Sequence, residues 1–198
     1  TWLGRLNTDW VKDDAANTYE VLPHEGFDSS SNWLNTQGFR AKGYYHKKSR
    51  LAQATVLRHR RAPGLTCMSA LDSGDMGTLD EPINTSKGCG GVMRTAPCGM
   101  MTLLPGAGDD AWALQGAQAA AITHSHLMGY VPAAMLADMI HSILLEDGRG
   151  LEAIVRDSLQ RVCRMFGPDI ASADGCEARE GEGGGSFAAI LAFRQMIG

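Results

Sequence analysis

The chain has 198 residues, enough to bury a sizeable core, and is expected to form a single domain over 1–198. With 44% hydrophobic and 20% charged residues it has the composition of a folded globular protein, which excludes a disordered chain. Its net charge of −4 excludes a broad basic surface, so nucleic acid is not an expected partner.

Residues 1 to about 32 are rich in Asp, Asn and Ser, with Pro23 and Gly26, and read as loops with one or two short helices. "SNWLNTQGF" has a Ser/Asn start and a Gly stop, which suits a short helix. The basic runs "RAKGYYHKKSR" and "RHRR" read as solvated faces. "KKSRLAQATVLRH", from about 47 to 59, is loosely helical and is ended by "RAPG". "LTCMSALDSG" predicts another short helix, stopped at Gly74.

The stretch "INTSKGCGGVMRTAPCGMM" then interrupts the helical pattern with a polar, glycine-rich loop. Beyond it, Asp109 or Asp110 can cap a helix through "DDAWALQGAQAAAITHSH", whose alanines favour helix and allow close helix approach. Gly129 is expected to separate this helix from "VPAAMLADMIHSILLEDG", which carries Pro132 in its first turn and an apolar stripe with Met135, Met139 and Ile143. "LEAIVRDSLQRVCRMF" repeats the pattern and is expected to stop at Gly167-Pro168. "GGGSFAAILAFRQMI" predicts a last helix. No alternating strand pattern and no solenoid repeat is present, so the fold class is all-α, a multi-helix bundle.

Five cysteines without regular spacing make no zinc pattern and are expected as reduced thiols in a cytoplasmic protein. The first residues lack a basic-then-apolar signal pattern, and no apolar stretch reaches bilayer-spanning length, so no membrane partner is expected.

The glycine loop has a direct chemical reading. Glycines permit positive φ and close backbone approach, so successive amides can line a concavity for an anion such as a diphosphate. Ser86 can donate a hydroxyl, and Lys87 or Arg94 can add charge. Arg94 can equally pin the loop by bonding to carbonyls, and Gly90-Gly91 can serve tight packing alone. Cys89 sits where loop amides could lower a thiol's pKa, yet no base is singled out beside it. The methionines from Met93 to Met101 read as core filler. His126 and His141 read as structural.

"APGLTCMSAL", "NTSKGCGGVMRTAPCGM" and "AAAITHSHLMGY", in that order, resemble the ADP-ribosylglycohydrolase family (dinitrogenase-reductase-activating glycohydrolase-like). The resemblance is specific between about Trp33 and Leu145, and "GEGGGSFAAILAF" extends it more weakly. It implies a compact all-α fold, an orthogonal multi-helix bundle. It also implies hydrolysis of the glycosidic bond between ADP-ribose and a protein side chain or small acceptor. The implied partner is an ADP-ribosylated protein or an ADP-ribose-containing small molecule. The resemblance places Ser86, Lys87 and Gly88 at the diphosphate and nearby ribose, and His124 at the ribose and adenosine side.

Two magnesium ions are the family's cofactor, and they require hard oxygen ligands. The family's N- and C-terminal metal-binding segments are not recognisable here. Asp13 and Asp14 with Thr18 are a faint echo of the first, and the loop with Asp174, Glu177 and Glu180 reads as a solvated acidic stretch. No residue is therefore assigned as a metal ligand, and no catalytic residue is assigned. As written, 1–198 is expected to be a partial family domain and an inefficient hydrolase; the alternative is a non-catalytic ADP-ribose-binding module or pseudoenzyme fragment.

Overall fold

A computed structural model describes residues 27–39, 53–100, 108–145 and 148–180, with side chains as far as residue 168. These residues form helices and connecting segments, and there is no strand among them. The expected helix over "GGGSFAAILAFRQMI", the residues 47–52 and most of the N-terminal stretch lie outside the described residues.

Helix α1 covers 27–36, starting at least four residues before the Ser31 expected from its cap pattern. Phe27 and Leu34 are buried, and this apolar pair draws the helix back beyond the polar "SSSN" run. Gly38 ends it at φ +89°. There the Phe39 amide bonds the Leu34 carbonyl and the Gly38 amide bonds that of Asn35, the paired bonds of a left-handed glycine stop.

Gln53 is helical and residues 55–57 form a 3-10 turn, so the looser helix expected from about 47 to 59 is described only at its end. Val56 in that turn is exposed. Helix α2, Leu65–Ser73, follows and ends as expected at Gly74 with φ 85°. Its Leu71 packs with Phe27, Leu34 and Ile122 in a small core beside α1.

The glycine loop leads through a second 3-10 turn, Val92–Arg94, into the short helix α3, Ala96–Gly99. Helix α4, Ala111–Ala121, and helix α5, Leu127–Leu144, then form an antiparallel hairpin. Small residues set their spacing: a Cβ on Gly116 would lie 2.6 Å from the Ala133 carbonyl oxygen and 2.7 Å from Ala137 Cβ. Ala113, Ala117, Ala120, Tyr130, Val131, Ala133 and Ala134 fill the interface with Val162 and Phe166 from the next helix.

Helix α4 stops five residues earlier than its sequence pattern implies. The Asn84 side chain takes the Thr123 carbonyl at 2.9 Å and the Ser125 amide at 3.3 Å, so the loop satisfies backbone groups that the helix would otherwise use. Ser125 Oγ in turn accepts from the Ile83 amide at 3.1 Å. His126 Nδ1 accepts from the Met128 amide at 3.0 Å and caps α5. Gly129 therefore lies inside the first turn of α5 rather than between helices, and Pro132 falls in the second turn rather than the first.

Helix α6, Leu151–Glu180, runs through Gly167-Pro168, where a stop was expected. Buried Val162 and Phe166 anchor it just before that pair, and Pro168 is exposed, so water can take the carbonyl that loses its bond. Tyr130 of α5 meets Phe166 of α6 edge to face at 5.7 Å. Farther along the same pair of helices, the Asp138 carboxylate, 2% exposed, lies 3.1 Å from Arg161 Nε.

Helix α5 has the length and apolarity to cross a membrane, contrary to the expectation that no stretch does. Half of it is buried inside the protein between α4 and α6, which is how the core helix of a bundle reaches the same composition.

Candidate functional site

The site forms where the glycine loop lies across the α4–α5 connection. Thr123 and His124 belong to that connection and are 0% and 2% exposed. Asn84 anchors the loop to it, as described above, and its Oδ1 also accepts from the Ser86 amide at 3.1 Å. Ser86 Oγ lies 3.2 Å from Thr66 Oγ1 of α2 and accepts from the Gly88 amide at 3.3 Å. Thr66 of α2 and the loop's own Asn84 and Gly88 thus converge on Ser86.

The loop passes directly over the His124 ring. A Cβ on Gly90 would sit 2.8 Å from His124 Cε1, 2.9 Å from Nε2 and 3.2 Å from Cys67 Sγ. A Cβ on Gly88 would lie 3.3 Å from Ser86 Oγ and 3.4 Å from His124 Nε2. Neither glycine has positive φ. These glycines are required by close approach and not by backbone handedness, which narrows the physical case made from sequence. On the far side, Gly129 lets α5 reach the loop: a Cβ there would sit 2.8 Å from His124 Cβ and 3.1 Å from the Ser86 carbonyl oxygen.

Arg94 is held behind the loop. Its Nη2 donates to Thr123 Oγ1 at 2.6 Å and lies 3.4 Å from Cys67 Sγ. Its Nη1 is buried with no partner among the described residues. Burial lowers the guanidinium pKa from its usual value, while the neighbouring Cys67 opposes that shift. Thr123 Oγ1 lies 2.8 Å from His124 Nδ1. Burial, and then the Arg94 charge, push His124 below the usual imidazole value.

The residues singled out from sequence are therefore brought together in part. Ser86, Gly88 and His124 surround one point, and Lys87 is exposed on the loop between them. The amides of Cys89 and Gly90 make no hydrogen bond among the described residues, leaving two donors at the part of the loop above His124. This is the arrangement in which backbone amides and a ring N–H can meet a ligand's oxygens. The open question over Arg94 resolves toward pinning, though through the side chains of Thr123 and Cys67 and not through the carbonyls expected. Thr66, Asn84 and Thr123 were inside or beside the quoted motifs, but nothing in residue type or spacing separated them from ordinary polar residues. His126 is a helix cap, and His141 stacks on Trp112 at 4.6 Å, so both are structural as expected.

No group of three or more His, Cys, Asp or Glu side chains able to hold a metal ion occurs among the described residues. Asp13, Asp14 and Thr18 lie outside them, and Asp174, Glu177 and Glu180 lie on the part of α6 whose side chains are not described. The residues around Ser86 and His124 supply hydroxyls, amides, a thiol and imidazole. They do not fit a magnesium pair, which needs carboxylate oxygens.

No curated protein and no solved structure matches the chain. The family model for ADP-ribosylglycohydrolase matches residues 9–192, a span containing every residue of this site. The chain belongs to the ADP-ribosylglycohydrolase family.

Proposed function

We propose that the glycine loop at Ser86–Gly90, with His124 packed behind it, forms the surface that binds the ADP-ribosyl group, and that the chain acts in releasing ADP-ribose from a protein side chain or small acceptor. The observation that carries this reading is the convergence of Ser86 Oγ and His124 Nε2 within 3.4 Å of one point on the loop, at Gly88. In this reading Ser86, Lys87 and Gly88, with the amides of Cys89 and Gly90, face the diphosphate and nearby ribose. His124 donates to an oxygen on the ribose and adenosine side.

The chemistry is hydrolysis at ribose C1: water adds, and the bond to the acceptor nitrogen or oxygen breaks. The described residues bind and orient the ADP-ribosyl group in this scheme. Magnesium belongs to the proposal only through the family, and no step is assigned to it here.

Thermal denaturation with and without ADP-ribose tests the binding half, with a rise in melting temperature expected. Release of free ADP-ribose from ADP-ribosyl-arginine or ADP-ribosyl-serine in magnesium buffer tests the hydrolytic half. Binding without release would support the non-catalytic alternative. A folded chain that shows neither contradicts the reading.

A further inference from the structure

The contacts behind the glycine loop determine which nitrogen of His124 carries a proton. A guanidinium can only donate, so Thr123 Oγ1 accepts from Arg94 Nη2 at 2.6 Å. The threonine hydroxyl has one proton of its own to place. Thr123 is fully buried, and the remaining partner of its oxygen among the described residues is His124 Nδ1 at 2.8 Å. If Nδ1 carried a proton, two donors would point at one oxygen, and the buried hydroxyl proton would have no acceptor. If Nδ1 is bare, it accepts from the hydroxyl, and Arg94 Nη2, the hydroxyl and Nδ1 each have a partner. The ring proton then resides on Nε2, the nitrogen that faces Gly88 and Gly90.

We infer that Arg94 and Thr123 are positioning residues that hold His124 as a neutral Nε2–H donor directed at the glycine loop. The relay also opposes charging of the ring. Protonating Nδ1 would break the hydroxyl bond and place a second positive charge one threonine away from Arg94. Desolvation acts in the same direction. The titratable groups that surround the ring are Arg94 from the 3-10 turn, Cys67 from α2, Lys87 and Cys89 on the loop, and His126 two residues on.

A neutral donor recognises an acceptor oxygen without drawing on charge. The Nε2–H donor is in place without uptake of a proton, so the bond it makes to a ligand should not need acid pH to form. Relevance to ADP-ribose rests on the function proposed above. The tautomer does not, and it can be read in the ligand-free chain.

The experiment is nitrogen NMR of the chain carrying ¹⁵N-labelled histidine, with assignment of His124 by its loss in His124→Gln. The wild-type ring is expected as the neutral Nε2–H form, taking up a proton only below the ordinary imidazole value. Thr123→Val removes the hydroxyl and should shift His124 to a mixture of the two neutral forms, whereas Thr123→Ser should restore the Nε2–H form. An Nδ1–H ring in the wild type overturns the inference, as does a Thr123→Val spectrum identical to wild type. If Thr123→Val does not fold, the wild-type and Thr123→Ser spectra decide, since both are required to show the Nε2–H form. Failure of ADP-ribose to bind would leave this result standing and count against the proposed function alone.

Discussion

Gly90 runs so close over His124 that a Cβ at residue 90 would sit 2.8 Å from the imidazole Cε1. Such a contact is closer than two carbon atoms tolerate, and the ring cannot retreat freely because Gly129 of α5 abuts its Cβ from the other side. Gly90→Ala should therefore displace either the ring or the loop. Overpacking of this kind costs about 1–3 kcal/mol, and if it falls on the site it lowers ADP-ribose affinity by on the order of tenfold or more. Gly64→Ala, where a Cβ meets nothing within 4 Å, is the control and should bind like wild type. Calorimetric titration of both variants checks the contrast.

Acid should destabilise the fold through buried His124 and half-buried His141. Both His124 and His141 are pushed below the ordinary imidazole value of 6.5, in each case chiefly by burial. For His141 the charges of Asp138 and Asp109 oppose the shift, while Arg161 adds to it. In the unfolded chain each ring takes up a proton near the ordinary value, and in the folded chain only at lower pH. Between those two values the unfolded state holds more protons, so stability falls as pH drops below 6.5 and levels off beneath the lowered folded values. The slope has a ceiling of about 1.4 kcal/mol per pH unit for each ring. Urea denaturation from neutral to mildly acid pH should show it, and His141→Gln should reduce it.

The ion pair between Asp138 and Arg161 should matter far more than the pairs on the surface. Asp138 is 2% exposed, and its Oδ2 has no partner among the described residues, so its Oδ1 contact with Arg161 is what balances the buried charge. Asp138→Ala should destabilise the protein by about 1–3 kcal/mol, because Arg161 loses its buried partner and keeps the 3.6 Å contact with Asp110. Glu152→Ala, which breaks an exposed pair with Arg156 on α6, should change stability by no more than about 0.5 kcal/mol. Chemical denaturation of the two variants gives the comparison.

Thiol reactivity should follow burial. Cys98 is fully buried between α3, α4 and α5, and desolvation pushes its thiol up to about 12, so it should resist alkylation until the protein unfolds. Cys89 is exposed on the glycine loop and should react first among the cysteines whose side chains are described. Peptide mapping after brief maleimide treatment reads the order. ADP-ribose should slow labelling of Cys89, and equal rates with and without ligand would count against the loop as its binding surface.

The helices were largely legible in the sequence, because an apolar stripe at three- and four-residue spacing commits a segment locally. Their ends were less so. Helix α4 stops at Ala121 because Asn84 captures the Thr123 carbonyl, and those two residues are 39 positions apart. Helix α6 passes Gly167-Pro168 because Val162 and Phe166 are already seated in the α4–α5 core. Local breaker rules cannot anticipate either contact.

The site shows the same division. Ser86, Gly88 and His124, singled out by the motifs that carry the family resemblance, lie together in the structure. The groups that support them, Thr66 beside Ser86 and Arg94 beside Thr123, come from 20 and 29 residues away. Glycine chemistry alone suggested positive φ in the loop, whereas the structure uses Gly90 for clearance above a ring.

Isothermal titration of the chain with ADP-ribose tests the central claim most directly, with wild type, His124→Ala and Gly90→Ala compared at equal folded concentration. The account predicts saturable one-to-one binding to wild type, weakened by on the order of tenfold or more in both variants. A folded wild-type chain that releases no binding heat, or variants that bind ADP-ribose as wild type does, would contradict it.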